Sequence, residues 1–235
     1  MNFSTVLTLG LLITSGSANA ASLFVRPTTV IFARGESAAS VTVTNSGTAP
    51  VTAQLRLYDW DQRENQDSLT KSLSLVASPP MLQIPAGSSQ TIRLVRVLSK
   101  PAVAEESYRM IVDEIPDPGS TDNGTGVVVQ LRYSVPIFVL PKSAQSASAT
   151  FKASLSGDSL VLDVSNRGKA HAQISNVRVG YRDGSTNVVG AGLLGYVLPD
   201  KQRQWKLDVP PGGANRGAPT QLQAQVNGKE LRVAL

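Results

Sequence analysis

Apolar and polar residues alternate in short stretches along most of this chain, and clusters of glycine, proline, asparagine and aspartate separate the stretches. Ser40-Val-Thr-Val-Thr44 alternates strictly and runs into the turn cluster Asn45-Ser-Gly-Thr-Ala-Pro50. Val51-Thr-Ala-Gln-Leu-Arg-Leu-Tyr58, then SQTIRLVR over 89–96 and Tyr108-Arg-Met-Ile-Val112, repeat the pattern. A period of two turns successive side chains to opposite faces of a strand, so each stretch predicts a strand with one buried face. The stretch Gly126–Pro141, GVVVQLRYSVPIFVLP, is too rich in β-branched and aromatic residues for a helix. It is also nearly too apolar for a strand with one wet face. No window of useful length sustains a 3.6-residue period, and short strands set apart by turns predict an all-β sandwich or barrel.

The pattern changes after Pro141. Lys142-Ser-Ala-Gln-Ser-Ala-Ser-Ala149 is small, polar and suited to a linker. A second set of strands follows at 160–164, 172–179, 204–208, 222–226 and 231–235, with turns at 166–168, 183–184, 210–213 and 227–228. Asn227-Gly228 between two alternating runs predicts a tight hairpin. The wording VTVTNSG in the first half is echoed by VLDVSNRG in the second. Two β-sandwiches in tandem, 21–141 and 150–235 joined by 142–149, account for both sets of strands.

The first twenty residues stand apart. MNFSTVLTLGLLITSGSANA has an apolar centre too short to span a bilayer and ends in Ala18-Asn19-Ala20, which suits a signal peptidase. Residues 1–20 are therefore read as a signal peptide, although no lysine or arginine precedes the apolar run. Thr8, Gly10 and the small-residue tail weaken the competing reading of a buried first strand. No later segment approaches ~18 uninterrupted apolar residues, so no membrane insertion is expected of the mature chain.

Composition narrows the chemistry. With no cysteine in 235 residues, thiol catalysis and thiolate metal sites are excluded, and disulfides cannot stabilise the fold. The net charge of +5 is spread along the chain. Behind a signal peptide, a basic surface is not expected to serve nucleic acid. The one histidine, His171, lies at a turn-to-strand junction, and a lone histidine is more often structural than catalytic. No Gly-x-Ser-x-Gly elbow accompanies it. Asp59 and Asp61 flank Trp60, and Asp113 adjoins Glu114, but adjacent strand residues point to opposite faces. Asp117–Gly124 resembles a calcium loop only in composition. No enzyme, cofactor or metal site is expected.

Taken in order, several motifs resemble the periplasmic chaperones of the chaperone–usher pathway. They are Val41-Thr-Val-Thr-Asn45 with its turn, Ala77-Ser-Pro-Pro80, Ile84-Pro-Ala-Gly87 leading into Thr91-Ile-Arg-Leu94, Glu106-Ser-Tyr-Arg109, Asp113-Glu-Ile-Pro116 and Tyr133-Ser-Val-Pro-Ile-Phe-Val139. The Tyr-Arg and Arg-Tyr-Ser-x-Pro wording is most similar to the archaic branch. The resemblance covers nearly the whole mature length. It implies two immunoglobulin-like sandwiches set at an angle in a boomerang, a periplasmic location, and two partners: pilus subunits lacking a final strand and an outer-membrane usher.

The resemblance also implies a use for the greasy stretch. Alternation puts Val127, Val129, Leu131 and Tyr133 on one face, and Gln130, Arg132 and Ser134 on the other. In the family this strand is lent to an incomplete subunit, whose open groove takes the alternating apolar side chains. The competing reading is that these residues are ordinary core, as Val135, Ile137 and Val139 are expected to be. Family members also hold the subunit's terminal carboxylate with basic residues between the domains. The matching positions here fall near Thr29 and Pro136, neither of which is basic. Arg109 is the first substitute, followed by Arg132 and Arg93, because a guanidinium fork takes both carboxylate oxygens.

Two other classes stay open on sequence grounds. One is a pilus subunit or adhesin, although subunits end in one incomplete domain and two strand sets are present here. The other is an exported hydrolase or carbohydrate-binding module using Trp60, Trp205 or Tyr181 as stacking platforms. The organelle served, the usher-facing surface and self-association of the free chain are not readable from sequence.

Overall fold

The first strand of the chain divides its hydrogen bonds between two sheets, and that division shapes one side of the molecule. In the computed structural model, which describes residues 23–97, 102–116, 130–143, 145–157, 159–209 and 219–235, β1 (Leu23–Arg26) pairs antiparallel with β3 (Ala38–Asn45). Beyond the cis Arg26–Pro27 peptide the chain crosses to the opposite sheet as β2 (Val30–Phe32). There it runs parallel to β10 (Arg132–Val139) and pairs only with Ile137, Phe138 and Val139. The remaining strands are β4 (Val51–Arg63), β5 (Gln66–Lys71), β6 (Leu75–Ser78), β7 (Met81–Ile84), β8 (Ser89–Arg96) and β9 (Glu106–Ile115). They complete one sheet of order β1-β3-β8-β6 and another of order β2-β10-β9-β4-β5, with β7 also on β4.

Strict alternation builds the core between these sheets. Val41 and Val43 of β3, Ile92 and Leu94 of β8, Met110 and Val112 of β9, and Val135, Ile137 and Val139 of β10 are all buried there. Each removes most of an aliphatic side chain from water, worth roughly 1.5–3 kcal/mol gross.

A second sandwich follows. Its strands are β11 (Ala149–Ser156), β12 (Ser159–Asn166), β13 (Ala172–Tyr181), β14 (Thr186–Val197), β15 (Lys201–Asp208), β16 (Pro219–Val226) and β17 (Lys229–Ala234). They form sheets of order β11-β12-β15 and β14-β13-β16-β17 around a separate core that includes Leu160, Leu162, Val164, Val177 and Leu222. The expected hairpin joins β16 to β17, with Val226 opposite Lys229. Asn227 and Gly228 both take positive φ, as the mirror-image turn requires.

The echoed wording of the two halves marks the same structural device. Asn45 is fully buried; its Nδ2 donates to the carbonyls of Ala49 and Ile84, and its Oδ1 accepts from Gly47. Asn166 does the same with Ala170, Val197 and Gly168, and also accepts from the Ser148 N–H. Each carboxamide satisfies the turn after a central strand and ties it to a neighbouring chain, so neither amide is an unpaired buried polar group.

The stretch joining the sandwiches is held against the second one. The Ser146 carbonyl accepts from Lys169 and Ala170, and the Ser148 carbonyl accepts from Arg167. A side chain at Gly168 would fall 2.3 Å from the Ser146 carbonyl oxygen and 2.4 Å from the Ser148 nitrogen. Only glycine fits there.

Candidate functional site

A third buried cluster, distinct from both cores, lies between the sandwiches: Trp60, Phe138, Tyr196 and Leu198. Trp60 and Phe138 project from the outer face of the first domain's larger sheet, which would be wet in an isolated sandwich. Their ring centroids are 5.9 Å apart, and Tyr196 meets Trp60 edge-on at 5.7 Å. The one histidine closes the other side. The His171 ring stacks on Phe138 at 3.5 Å, its backbone N–H donates to the Glu105 carboxylate at 2.7 Å, and its Nδ1 lies 3.0 Å from the same group. His171 is thus a structural joint between domains.

Arg109 stands on the wall of this cleft. It is carried by β9 on the same outer face, and its guanidinium carbon lies 3.7 Å from the Trp60 ring centroid. Its side chain is only 14% exposed, yet its nearest carboxylate oxygen, on Asp67, is 3.6 Å away. That separation is too long for a good hydrogen bond. Asp67 is engaged instead by Arg203 at 2.8 Å and by Gln62 at 3.2 Å. Burial lowers the pKa of Arg109, against the opposing pull of Asp67 and with Arg203 adding to the shift. A largely dehydrated guanidinium with unused donors is a ready receptor for a carboxylate. Two further polar hydrogens in this region, on Trp60 Nε1 and Arg203 Nε, are buried without an acceptor among the described residues.

The register relates this arginine to one of the positions where the resemblance places a basic residue. Pro136 of β10 lies directly opposite Arg109 of β9. The guanidinium is therefore carried on the same rung as Pro136, one strand inward in the sheet. Thr29 shares a 3.3 Å hydrogen bond with the Tyr196 hydroxyl across the domain boundary.

The other two candidate arginines lie elsewhere. Arg132 and Arg56 both bind Asp113 on the outer face of the sheet, and Arg132 is 67% exposed. The Arg132–Asp113 rung lies four residues along the same face from the Arg109–Pro136 rung. Burial pulls the Asp113 carboxyl upward, but the two arginines hold it below the usual carboxylate range. Arg93 sits on β8, in the opposite sheet, exposed and across from Ser40 and Ser78. The structure does not bring the three arginines together.

The apolar strand divides at its midpoint. Leu131 and Tyr133 are partly buried against the first core, on the same face as Val135, while Gln130, Arg132 and Ser134 are exposed. The expected alternation is present over this part; Val127 and Val129 lie outside the described residues. The Tyr133 hydroxyl donates to the Leu23 carbonyl of β1, spanning the gap between the two sheets. Because β2 covers only Ile137–Val139, the second edge of β10 over Arg132–Pro136 has no strand beside it among the described residues. The site is thus an open strand edge leading directly into a cleft with an under-used guanidinium.

The aromatic residues weighed as sugar platforms are placed otherwise. Trp60 and Tyr181 are buried, and Trp205 packs partly against the second core. Sequence reasoning missed Arg203, Asp67, Gln62 and Asn65. Parity along β15 offered one signal: Arg203 shares a face with Trp205 and Leu207, so a charged residue on the buried face was there to be found.

Comparison with known proteins agrees with this geometry. Residues 22–145 match the model of the pili and flagellar-assembly chaperone family, PapD N-terminal domain. A curated relative, the uncharacterized fimbrial chaperone YhcA of Escherichia coli K12, is 26% identical over 119 residues. That alignment takes in 51% of this chain and 49% of the relative, so the match spans about half of each. Among solved structures, the CsuC–CsuE chaperone–tip adhesion subunit complex of Acinetobacter baumannii superposes with a TM-score of 0.67 at 22% identity, covering 91% of this chain and 97% of that one. The Salmonella enterica SafA pilin–SafB chaperone complex gives 0.64 at 16%, over 93% and 99%. The Pseudomonas aeruginosa CupB2 chaperone gives 0.59 at 18%, over 90% and 100%. These likenesses establish two tandem immunoglobulin-like domains as the fold.

Proposed function

The chain belongs to the pili and flagellar-assembly chaperone family, and from that premise we propose that it captures pilus subunits in the periplasm and delivers them to an outer-membrane usher. A chaperone of this kind is a binding protein, not an enzyme. The capture is by strand donation: the segment from Val127 to Tyr133 is laid into the groove of a subunit that lacks its own last strand. Backbone hydrogen bonds join the edges, and Val127, Val129, Leu131 and Tyr133 fill the groove. The observation that carries this reading is the edge of β10 over Arg132–Pro136, which has no strand beside it among the described residues because pairing with β2 covers only Ile137–Val139.

Magnitudes shape the proposal. Four apolar side chains at ~1.5–3 kcal/mol each give roughly 6–12 kcal/mol gross. Leu131 and Tyr133 are already half-shielded by the chain's own core. They gain less than that on binding. Association and ordering subtract further. The remainder still covers a subunit edge that would otherwise aggregate.

Arg109 anchors the subunit's terminal carboxylate. It is the candidate that is both beside the strand and short of hydrogen bonds, whereas Arg132 is committed to Asp113 and Arg93 lies on the far sheet.

Co-expression with neighbouring secreted β-proteins tests the reading. At least one should survive in the periplasm only with the chaperone present and should co-purify with it. Val129→Asp with Leu131→Asp should abolish that dependence, and undiminished client yield would refute strand donation.

A further inference from the structure

The long hairpin of β4 and β5 reaches past its own sandwich and ends on the second one. Its turn, Arg63 to Gln66, has Glu64 and Asn65 at positive φ, the mirror-image geometry that aligns with strand twist. Two carboxamides of this hairpin grip the second domain in the same manner. Gln62 donates through Nε2 to the Tyr196 carbonyl at 3.0 Å and accepts the Leu198 N–H on Oε1 at 3.0 Å. Asn65 donates through Nδ2 to the Gln204 carbonyl at 3.0 Å and accepts the Gln204 N–H on Oδ1 at 2.6 Å. Each side chain therefore answers one donor and one acceptor of the second domain's backbone, as a neighbouring strand would. β15 is an edge strand, so Gln204 has no strand partner on that side among the described residues.

Ion pairs from the same hairpin flank the forks. Asp61 meets Lys201 at 2.6 Å, and Asp67 meets Arg203 at 2.8 Å. Although burial pulls the Asp61 carboxyl up, hydrogen bonds from Lys201, Arg63 and the Gln62 backbone bring it down to about 2.

We infer that the β4–β5 hairpin is a clasp that fixes the second sandwich against the first, with Gln62 and Asn65 as positioning residues acting in place of a missing strand. The inference does not depend on which client the cleft serves or on strand donation. Its consequence for the site is geometric. Trp60 and Asp67 belong to the hairpin's own strands, so the clasp sets the Trp60 wall, and Arg109 stacked on it, at a fixed distance from Arg203. Carboxylates cannot replace the forks, because they accept hydrogen bonds but donate none. The register of the grip is therefore written into the amides.

The absence of native cysteine makes a direct test simple. Spin labels on Ser40→Cys and Lys152→Cys, exposed positions on the two sandwiches, report the interdomain distance of the exported chain by pulsed electron resonance. The parent should give one narrow distribution. Gln62→Glu with Asn65→Gly should broaden it about twofold or shift its mean, as expected when two packed bodies lose their fixed contact. Glycine keeps the left-handed turn, so Asn65→Gly removes the fork and not the hairpin. Asn65→Asp, which keeps the acceptor alone, should fall between. Iodide quenching of Trp60 in a Trp205→Phe background should rise in step. A distribution unchanged in width and mean in the double variant, or no graded response from glycine to aspartate, would overturn the clasp.

Discussion

Two arginines of the first domain are both largely buried, with side chains 7% and 14% exposed for Arg96 and Arg109, and are oppositely employed. Arg96, at the end of β8, forms a two-pronged pair with Glu106 at 2.8 and 2.6 Å, and the Tyr108 hydroxyl donates to the same carboxylate at 2.9 Å. Arg109, three residues beyond Glu106 on the outer face of β9, is stacked on an indole and makes no such fork. Burying a charge is costly unless it is paired and hydrogen-bonded. The first site meets that requirement internally and serves stability. The second leaves it partly unmet, which supports the proposal that Arg109 receives an external carboxylate.

The largest expected effect that breaks this contrast is on Arg96. Arg96→Ala leaves Glu106 without its fork and should cost about 3 kcal/mol in equilibrium denaturation, while capture of client per folded molecule stays unchanged. An unshifted denaturation midpoint would mean that the pair is idle. Arg109→Ala should show the reverse. Stability should move by about 1 kcal/mol or less, since a lost cation–π contact is offset by relief of a dehydrated charge. Co-purification of client should fall by roughly tenfold or more, the loss of a charge-assisted contact of about 1.5–3 kcal/mol. If client recovery survives this change, Arg109 is not the anchor.

A smaller effect sharpens the point about shape. Arg109→Lys keeps the charge but gives up the planar fork and its stack on Trp60, so pull-down yield should lie between parent and alanine. The smallest effect is in the acid limb. Burial pushes the Glu106 carboxyl up, but Arg96 and Tyr108 more than reverse this and hold it below its ordinary 4.5. A depressed carboxyl contributes stability above its unfolded value, and that contribution is lost as pH falls through the lower folded value. Denaturation midpoints measured downward from pH 5 should therefore decline less steeply in Arg96→Ala than in the parent, and with unchanged slope in Arg109→Ala.

How much of this could be read in advance depended on whether the partner was near in sequence. Strands β3, β4, β8, β9 and β10 were legible, since alternation alone decides which of their side chains is buried. The Asn227-Gly228 hairpin was legible through turn chemistry. β14 was not: its run of glycines lacks alternation, and bulges interrupt its register with β13. The segment after Pro141 was read as a linker from its small polar residues, and composition gave no sign that serines in it are hydrogen-bonded to the turn at Asn166–Ala170. Arg109 was reached through family resemblance and not through periodicity, which gives only its face. Gln62 and Tyr196 are 134 residues apart, and Asn65 and Gln204 are 139 apart. Nothing local tells one glutamine on an outer face from another, so contacts between domains stayed invisible until the fold was built.

One cramped glycine has a consequence beyond its own turn. With Gly168 pressed against the backbone of Ser146 and Ser148, the incoming strap and the turn share one tight seam, and any side chain at 168 would prise that seam apart. A single added methyl there would loosen the place where the second sandwich takes hold of the chain that leads into it.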